Sequence, residues 1–357
     1  MIKLLHSADW HLDAPMSGHS PEALQLLQKE SRKLPQRIAD LCRQEQCQLL
    51  LLAGDLFDGA CSKETVRLVQ QALASLDIPV IITPGNHDCC RPGSPYFAEG
   101  WSENVHIFTK SQVETLTIAE LNCKIYGAGY ESMDCPGLLK RFRAEGEERW
   151  HIGVFHADAM TPNSPYFPIT RHQLQESGLD YVALGHIHKQ GSITAGDTLC
   201  LWPGCPMGRG YDELGVKGVI IATLDEGVQT EFVPLDTPRF YDEDINAGDD
   251  AAFALSGILP ALESNDFYRI TLTGYSAPLD LQQLKQQFSH VPNLILQDNT
   301  LPEVDLWKNI DSDTLEGMLF STLKEAADSP SQTLSQRAIL AARICRSILD
   351  GQEVVLP

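Results

Sequence analysis

The chain has 357 residues, 43% of them hydrophobic, and a formal charge of −21. Length and composition fit one large or two modest globular domains and exclude a disordered or fibrous chain. No apolar stretch approaches the roughly 18 residues of a membrane span, and so acidic a chain is a poor stand-alone grip for a polyanion.

In chain order, Ile2 to Ala8 reads as a strand, and residues 22–46 as a helix with Leu34, Ile38, Leu41 and Cys42 on one face. Leu49 to Ala53 is a second, buried strand. Ser62 is placed to cap a helix whose apolar face is Val66, Val69, Leu73 and Leu76. Ile78 to Thr83 is the next strand. Further strands are predicted at 123–128, 152–155, 181–184, 217–224 and 229–233. Such alternation predicts an α/β sandwich with buried sheets. Residues 237–250 are polar and rich in turn formers, and the domain boundary is placed there, giving domains 1–237 and 250–357. The second is predicted as a small α/β unit. It has a helix, a strand at 268–273, a helix at 279–288, a strand at 293–297 and a last helix over 334–349. That helix carries Leu334, Ala338, Ala341, Cys345 and Ile348 on one side.

The opening residues lack a signal-peptide pattern, so a cytoplasmic chain is expected. None of the ten cysteines forms a C-x-x-C pair, and free thiols are expected. The charge is uneven. Residues 241–357 hold 7 Lys+Arg against 18 Asp+Glu, so the smaller segment is the more acidic per residue.

Five short motifs recur at the ends of the predicted strands. They are Asp9-x-His11, Gly54-Asp55, Gly85-Asn86-His87-Asp88, His156 and Gly185-His186-Ile187-His188. Open α/β folds place their sites at such strand ends. If locally extended, Asp9 and His11 point to one face, and so do His186 and His188. Asp55 ends a Leu-rich strand, where its charge is costly unless a cation pairs with it; it is assigned the bridge between two metals. Mixed Asp, Asn and His donors suit Mn²⁺, Fe²⁺, Zn²⁺ or Ni²⁺ better than Mg²⁺ alone. The expected reaction is attack on a phosphate ester by a water shared between two metals roughly 3.5–4 Å apart. His87 is left uncoordinated, as the acid for the leaving alkoxide. Each motif alone has a bland reading as a turn, a cap or a surface pair; as an ordered set they point to one centre. Asp58 and Asp88 are read as orienting or capping groups, Asp13 as a turn residue, and His6 and His151 as satisfied strand histidines. His106, His172 and His290 are read as surface residues. Arg91, Lys189 and Arg209 are candidate substrate contacts.

At these residues the chain resembles the calcineurin-like metallophosphoesterase superfamily over about residues 1–235. The runs His6-Ser-Ala-Asp-Trp-His-Leu-Asp-Ala-Pro15, Leu52-Ala-Gly-Asp-Leu-Phe-Asp58 and Pro84-Gly-Asn-His-Asp88 resemble the SbcD-like DNA repair nucleases. Within them the chain is similar to the YhaO-like bacterial branch, which also matches Trp202 to Gly210 and Asp212-Glu213. The Leu-Asp after His11 fits that branch too, where many SbcD-like nucleases have Leu-Gly. The resemblance implies a four-layer αββα sandwich and a small C-terminal capping domain that helps select DNA. It implies one metal on Asp9, His11, Asp55 and His188, and a second on Asp55, Asn86, His156 and His186. His87 would be catalytic and manganese the usual metal. A homodimer and an SMC-like ATPase partner are implied as well. The expectation is therefore a metal-dependent DNA nuclease acting in repair. The alternatives are a phosphodiesterase or phosphatase for small esters, and a weakly catalytic regulatory subunit of an ATPase.

Overall fold

The computed structural model describes residues 1–59, 61–302, 304–351 and 354. They divide into two compact units: Met1–Tyr241 with Asn265–Phe267, and Asp242–Ser264 with the chain from Tyr268 onward. In chain order the first unit runs β1 (Ile2–Ser7), α1 (Pro21–Ser31), α2 (Leu34–Gln44), β2 (Leu49–Leu52), α3 (Lys63–Ala74), β3 (Val80–Ile82), β4 (Val105–Ile107), β5 (Glu114–Ile118) and β6 (Cys123–Ala128). It continues with β7 (Trp150–His156), α4 (Arg171–Glu176), β8 (Tyr181–Gly185), β9 (Gly191–Ala195), β10 (Thr198–Trp202), β11 (Gly218–Leu224) and β12 (Val228–Pro234).

These strands form two six-stranded sheets, ordered β12-β11-β1-β2-β3-β4 and β5-β6-β7-β8-β10-β9. Each has a parallel run with antiparallel strands outside it. Period-two alternation sets the layers. In β2, Leu49 and Leu51 enter the core between the sheets, while Leu50 and Leu52 face the helices α1 to α3, meeting Leu27, Ile38 and Val69. On the second sheet, Ile125, Ile152, Val154 and Ala183 fill the same inter-sheet core. Tyr126, Phe155, Val182 and Leu184 face outward and are covered by Leu174 of α4 and by Leu139, Phe167 and Ile169. The result is the α/β/β/α layering. His6 of β1 crosses the core, with Nδ1 2.9 Å from the Tyr181 hydroxyl and Nε2 3.2 Å from the Leu184 carbonyl. Burial pushes its pKa down to about 3, so a neutral ring links the two sheets.

Three expectations change. The single helix over 22–46 is two, because Pro35 lacks an N–H and its ring clashes with the carbonyl one turn back, so a new helix must start there. Strands β4, β5, β9 and β10 escape the pattern; β4, β5 and β9 are partly exposed and none is a long apolar run. The turn-rich 237–250 stretch holds a strand, β13 (Phe240–Asn246), with Phe240 and Ile245 buried and Asp242, Glu243 and Asp244 exposed. An edge strand tolerates that polarity because one side faces water.

The second unit continues with α5 (Ala251–Ser256), β14 (Phe267–Thr273), β15 (Tyr275–Ser276), α6 (Leu281–Gln287), β16 (Leu294–Asp298), β17 (Leu301–Pro302), α7 (Leu315–Ala327) and α8 (Gln332–Leu349). Its three-stranded sheet is ordered β13-β14-β16. The buried stripe of α8 is Ala338, Ala342 and Arg346, whereas Leu334 and Ile348 are exposed. The two terminal nitrogens of Arg346 donate to Glu316 and to the Leu306 and Lys308 carbonyls, while its buried Nε has no hydrogen-bond partner among the described residues. The Arg346 guanidinium also covers the Phe320 ring of α7, a helix the sequence pattern did not disclose.

Leu51→Ala removes a wholly buried side chain from the inter-sheet core. It is expected to cost about 2–5 kcal/mol, read as a lower denaturant midpoint with an unchanged slope.

Candidate metal centre

All five motifs leave the carboxyl ends of strands: β1, β2 and β3 from one sheet, β7 and β8 from the other. The loop after β1 runs alongside the loop after β2. The Asp9 N–H donates to the Gly54 carbonyl (3.0 Å), His11 N–H to Asp55 (2.9 Å) and Leu12 N–H to Leu56 (3.0 Å). The expected extended geometry is not what brings the pairs together. Asp9, His11, Asp55 and His186 have φ of 55°, 46°, 50° and 89°. Left-handed backbone at a non-glycine residue costs roughly 1–3 kcal/mol and needs bracing. Side chains supply it: Asp9 Oδ1 accepts from the His186 N–H, and Asp55 Oδ1 from the His87 N–H, each at 2.9 Å. Asp88 ties the β2 and β3 loops together. Its oxygens accept from the N–H groups of Gly85, Leu56 and Phe57 and from the Tyr96 hydroxyl.

His156 sits where the loops meet. It is fully buried, and its Nδ1 donates to the Ala53 carbonyl at 2.9 Å. Its Nε2 then faces two acceptors, Asn86 Oδ1 at 3.0 Å and Asp55 Oδ2 at 3.2 Å. Burial works against charge on this ring, yet the Asp55 and Asp9 carboxylates outweigh it and raise its pKa. Three electron-rich atoms converging in this way call for a cation, whether a proton or a metal. Glycines make the room. A Cβ on Gly54 would lie 2.6 Å from His156 Nδ1, one on Gly185 2.9 Å from it, and one on Gly85 2.2 Å from Asp55 Oδ1.

A second convergence lies beside the first. His11 Nε2 is 3.1 Å from His188 Nε2 and 3.7 Å from Asp55 Oδ2, and Asp9 Oδ1 is 4.0 Å from His188 Nε2. Asp9 Oδ2 is buried without a hydrogen-bond partner. Burial lowers the pKa of His11, and pushes that of His186 down to about 4, so both are neutral bases at pH 7. The orphaned carboxylate oxygen, the neutral imidazoles and the Asn oxygen suit divalent cations. Asp55 faces both convergences. The His186 ring packs beside His156, with ring centroids 5.2 Å apart. Among the described residues it stands outside the tight donor groups Asp9–His11–His188, His11–Asp58–His87 and Asp9–Asp55–His156.

His87 differs from its neighbours. Its side chain is 44% exposed, and its Nδ1 bonds Asp58 Oδ1 at 2.6 Å. That bond, more than any other influence, raises the pKa of the ring above the ordinary imidazole value. The two histidines beside it hold the Asp58 carboxyl well below the usual range.

Residues 2–190 match the family model described as calcineurin-like phosphoesterase. The chain belongs to the calcineurin-like phosphoesterase family. That family uses divalent metals. Relatives include the metallophosphoesterase YhaO of Bacillus subtilis, 33% identical over 63% of this chain and 58% of that protein. The alignment thus spans little more than half of the Bacillus protein. A subunit of the nuclease SbcCD from Staphylococcus epidermidis is 24% identical over 84% of this chain and 86% of its own. Among solved structures, a dimetal phosphatase from Danio rerio matches 65% of this chain and 98% of its own, at 14% identity and a TM-score of 0.42.

Within this phosphoesterase, Arg91 and Lys189 are exposed. Arg209 is tied within the chain: its Nε, Nη2 and backbone N–H bind the Glu213 carboxylate, whose other contact is His188. Sequence reasoning assigned Glu213 no role, since residues 209–213 form an irregular loop with no periodic signal. A cavity of about 240 Å³ opens beside Asp58 and Arg209, lined also by Pro15, Met16 and Asp212. His6 is hydrogen-bonded across to the other sheet and His151 to Tyr126 of the neighbouring strand. Asp13, at φ 62°, accepts from the Ser62 N–H. All ten cysteines are free thiols.

Gly85→Ala drives a methyl into Asp55 and His156. It is expected to cost about 1–3 kcal/mol in stability and to weaken divalent-metal binding, read by thermal melts with and without Mn²⁺.

Proposed function

We propose that this phosphoesterase is a metal-dependent DNA nuclease acting in repair, with exonuclease activity on phosphodiester bonds. One observation carries the hydrolytic part. Buried carboxylate, amide and imidazole donors from both sheets converge around Asp55, and Asp9 Oδ2 is left unsatisfied beside them. The choice of DNA is supported by the likeness to a nuclease component over 84% of the chain, a larger share than the first unit alone.

The proposed ligand sets are Asp9, His11, Asp55 and His188, and Asp55, Asn86, His156 and His186. Bound divalent cations, manganese by preference, would supply an activated water and neutralise phosphate charge. The remaining work falls to the chain's own side chains. Asp58 accepts from His87 Nδ1, which fixes the ring and leaves Nε2 as the atom that meets substrate. His87 then holds a proton for the leaving oxygen. Asp55 orders the loop that carries His87 by accepting its backbone N–H.

The charge of −21 bears on how DNA is held. At physiological salt, repulsion between exposed charges fades beyond about 8 Å, so the local surface decides. We place the grip in a partnership: a homodimer, an SMC-like ATPase partner, and the second unit as a cap that selects DNA. No described helix is long and apolar enough to cross a membrane, and a cytoplasmic setting is proposed.

His87→Ala is expected to lower kcat on single- and double-stranded DNA with Mn²⁺ by about 10²–10⁴-fold while Mn²⁺ binding persists. Unchanged cleavage sinks the role given to His87. Turnover of small phosphodiesters with no cleavage of any DNA transfers the activity to a small-ester phosphodiesterase. A second outcome concerns pH. Asp58 raises the pKa of His87, so the protonated donor is lost only as pH climbs through that raised value. Asp58→Asn removes the cause, and the alkaline limb of the kcat profile is expected to move to lower pH. An alkaline limb that stays in place rejects the pairing.

A further inference from the structure

Glu213 belongs to neither ligand set, yet it is only 5% exposed and makes four polar contacts. Its Oε1 lies 2.8 Å from His188 Nδ1 and 2.5 Å from Arg209 Nη2. Its Oε2 accepts from the Arg209 backbone N–H at 2.9 Å and from Nε at 3.2 Å. Arg209 therefore holds the carboxylate from the chain side and from the side-chain side at once.

That arrangement decides a tautomer. Arg209 Nη2 is also 3.1 Å from His188 Nδ1, and a guanidinium can only donate. If Nδ1 accepted that bond, the ring proton would sit on Nε2, the atom that faces His11 Nε2 at 3.1 Å. His188 would then have no lone pair to offer a metal. Glu213 can only accept, is nearer than Arg209, and carries the opposite charge. It draws the ring hydrogen to Nδ1 and leaves the lone pair on Nε2. Close packing maintains the loop, since a Cβ on Gly204 would meet the His188 carbonyl at 2.7 Å.

We propose that Glu213, braced by Arg209, is a positioning residue that sets the His188 tautomer and so builds one of the two metal sites. The proposal rests on the binuclear reading above. A carboxylate behind a metal-bound imidazole fixes ring orientation and raises ligand basicity, and its loss commonly costs 10–100-fold in metal affinity.

Calorimetric titration of the metal-free full chain with Mn²⁺ reads the sites without turnover. The wild type is expected to bind two ions. Glu213→Gln is expected to weaken one of them by about 10–100-fold and leave the other unchanged. His188→Ala should weaken the same one. In the double variant Glu213→Gln should add nothing to His188→Ala, because no ring remains to be oriented. Two unaltered sites in Glu213→Gln, or an additive loss in the double variant, overturn the proposal. A wild type that does not bind two ions overturns the binuclear reading itself, a distinct result. ¹⁵N spectra of histidine-labelled, metal-free wild type need no variant to fold. A hydrogen on Nδ1 of His188 is expected, and one on Nε2 overturns the assignment.

Discussion

Buried negative charge is the constraint on which this molecule is organised. Asp9 and Asp55 are each about 1% exposed, and an ion taken out of water without compensation costs several kcal/mol. The chain meets that cost with imidazoles drawn from both sheets. His156 lies against Asp55, and His11 and His188 lie beside Asp9 and Asp55. Protons answer only part of the demand, since Asp9 Oδ2 has no hydrogen-bond partner. A site built with more electron pairs than hydrogens is a site for cations.

Much of the fold serves to keep those groups from relaxing apart. The first sheet delivers Asp9, Asp55 and Asn86, and the second delivers His156, His186 and His188. Neither sheet supplies all of these groups, so the inter-sheet core of Leu49, Leu51, Ile152 and Val154 holds the two halves of the candidate centre together. His6, bonded across to Tyr181 and Leu184, adds a polar tie between the same strands. Left-handed backbone at Asp9, His11, Asp55 and His186 adds local strain that only a packed surround sustains. Asp88 anchors the loops from behind, with every oxygen occupied by a donor. Such a centre is preformed, which favours chemistry that cannot afford rearrangement.

His87 and Glu213 show two uses of one device. In each pair a carboxylate lies against Nδ1, and in the proposed reading Nε2 is left to act. The surroundings separate the outcomes. His87 is half exposed beside Asp58, which favours a held proton. The inner carboxylate Glu213 is tied to Arg209, and the His188 ring beside it faces His11.

The strands that carry the site were legible in the sequence, because runs such as Leu49–Leu52 and Ile152–Phe155 are apolar, too short for a buried helix, and followed closely by polar or turn-forming residues. The sequence also named most of the donors that come together, since Asp and His at strand ends keep their chemistry whatever the loop geometry, but not that His186 would stand outside the tight groups and Asp58 inside one. Where a signal depends on neighbours distant in the chain, the sequence was silent. The short strands β4, β5 and β9 are strands because a sheet edge accepts them, and β10 because β8 and β9 pair with it on either side. The helix break at Pro35 was written in the sequence and masked by the apolar face around it. The pairing of Glu213 with His188 joins residues 25 apart through an irregular loop, and burial of Arg346 depends on contacts across the α7–α8 hairpin. Local propensity names the groups; only tertiary packing decides which of them lose water, and therefore which must share protons or metals.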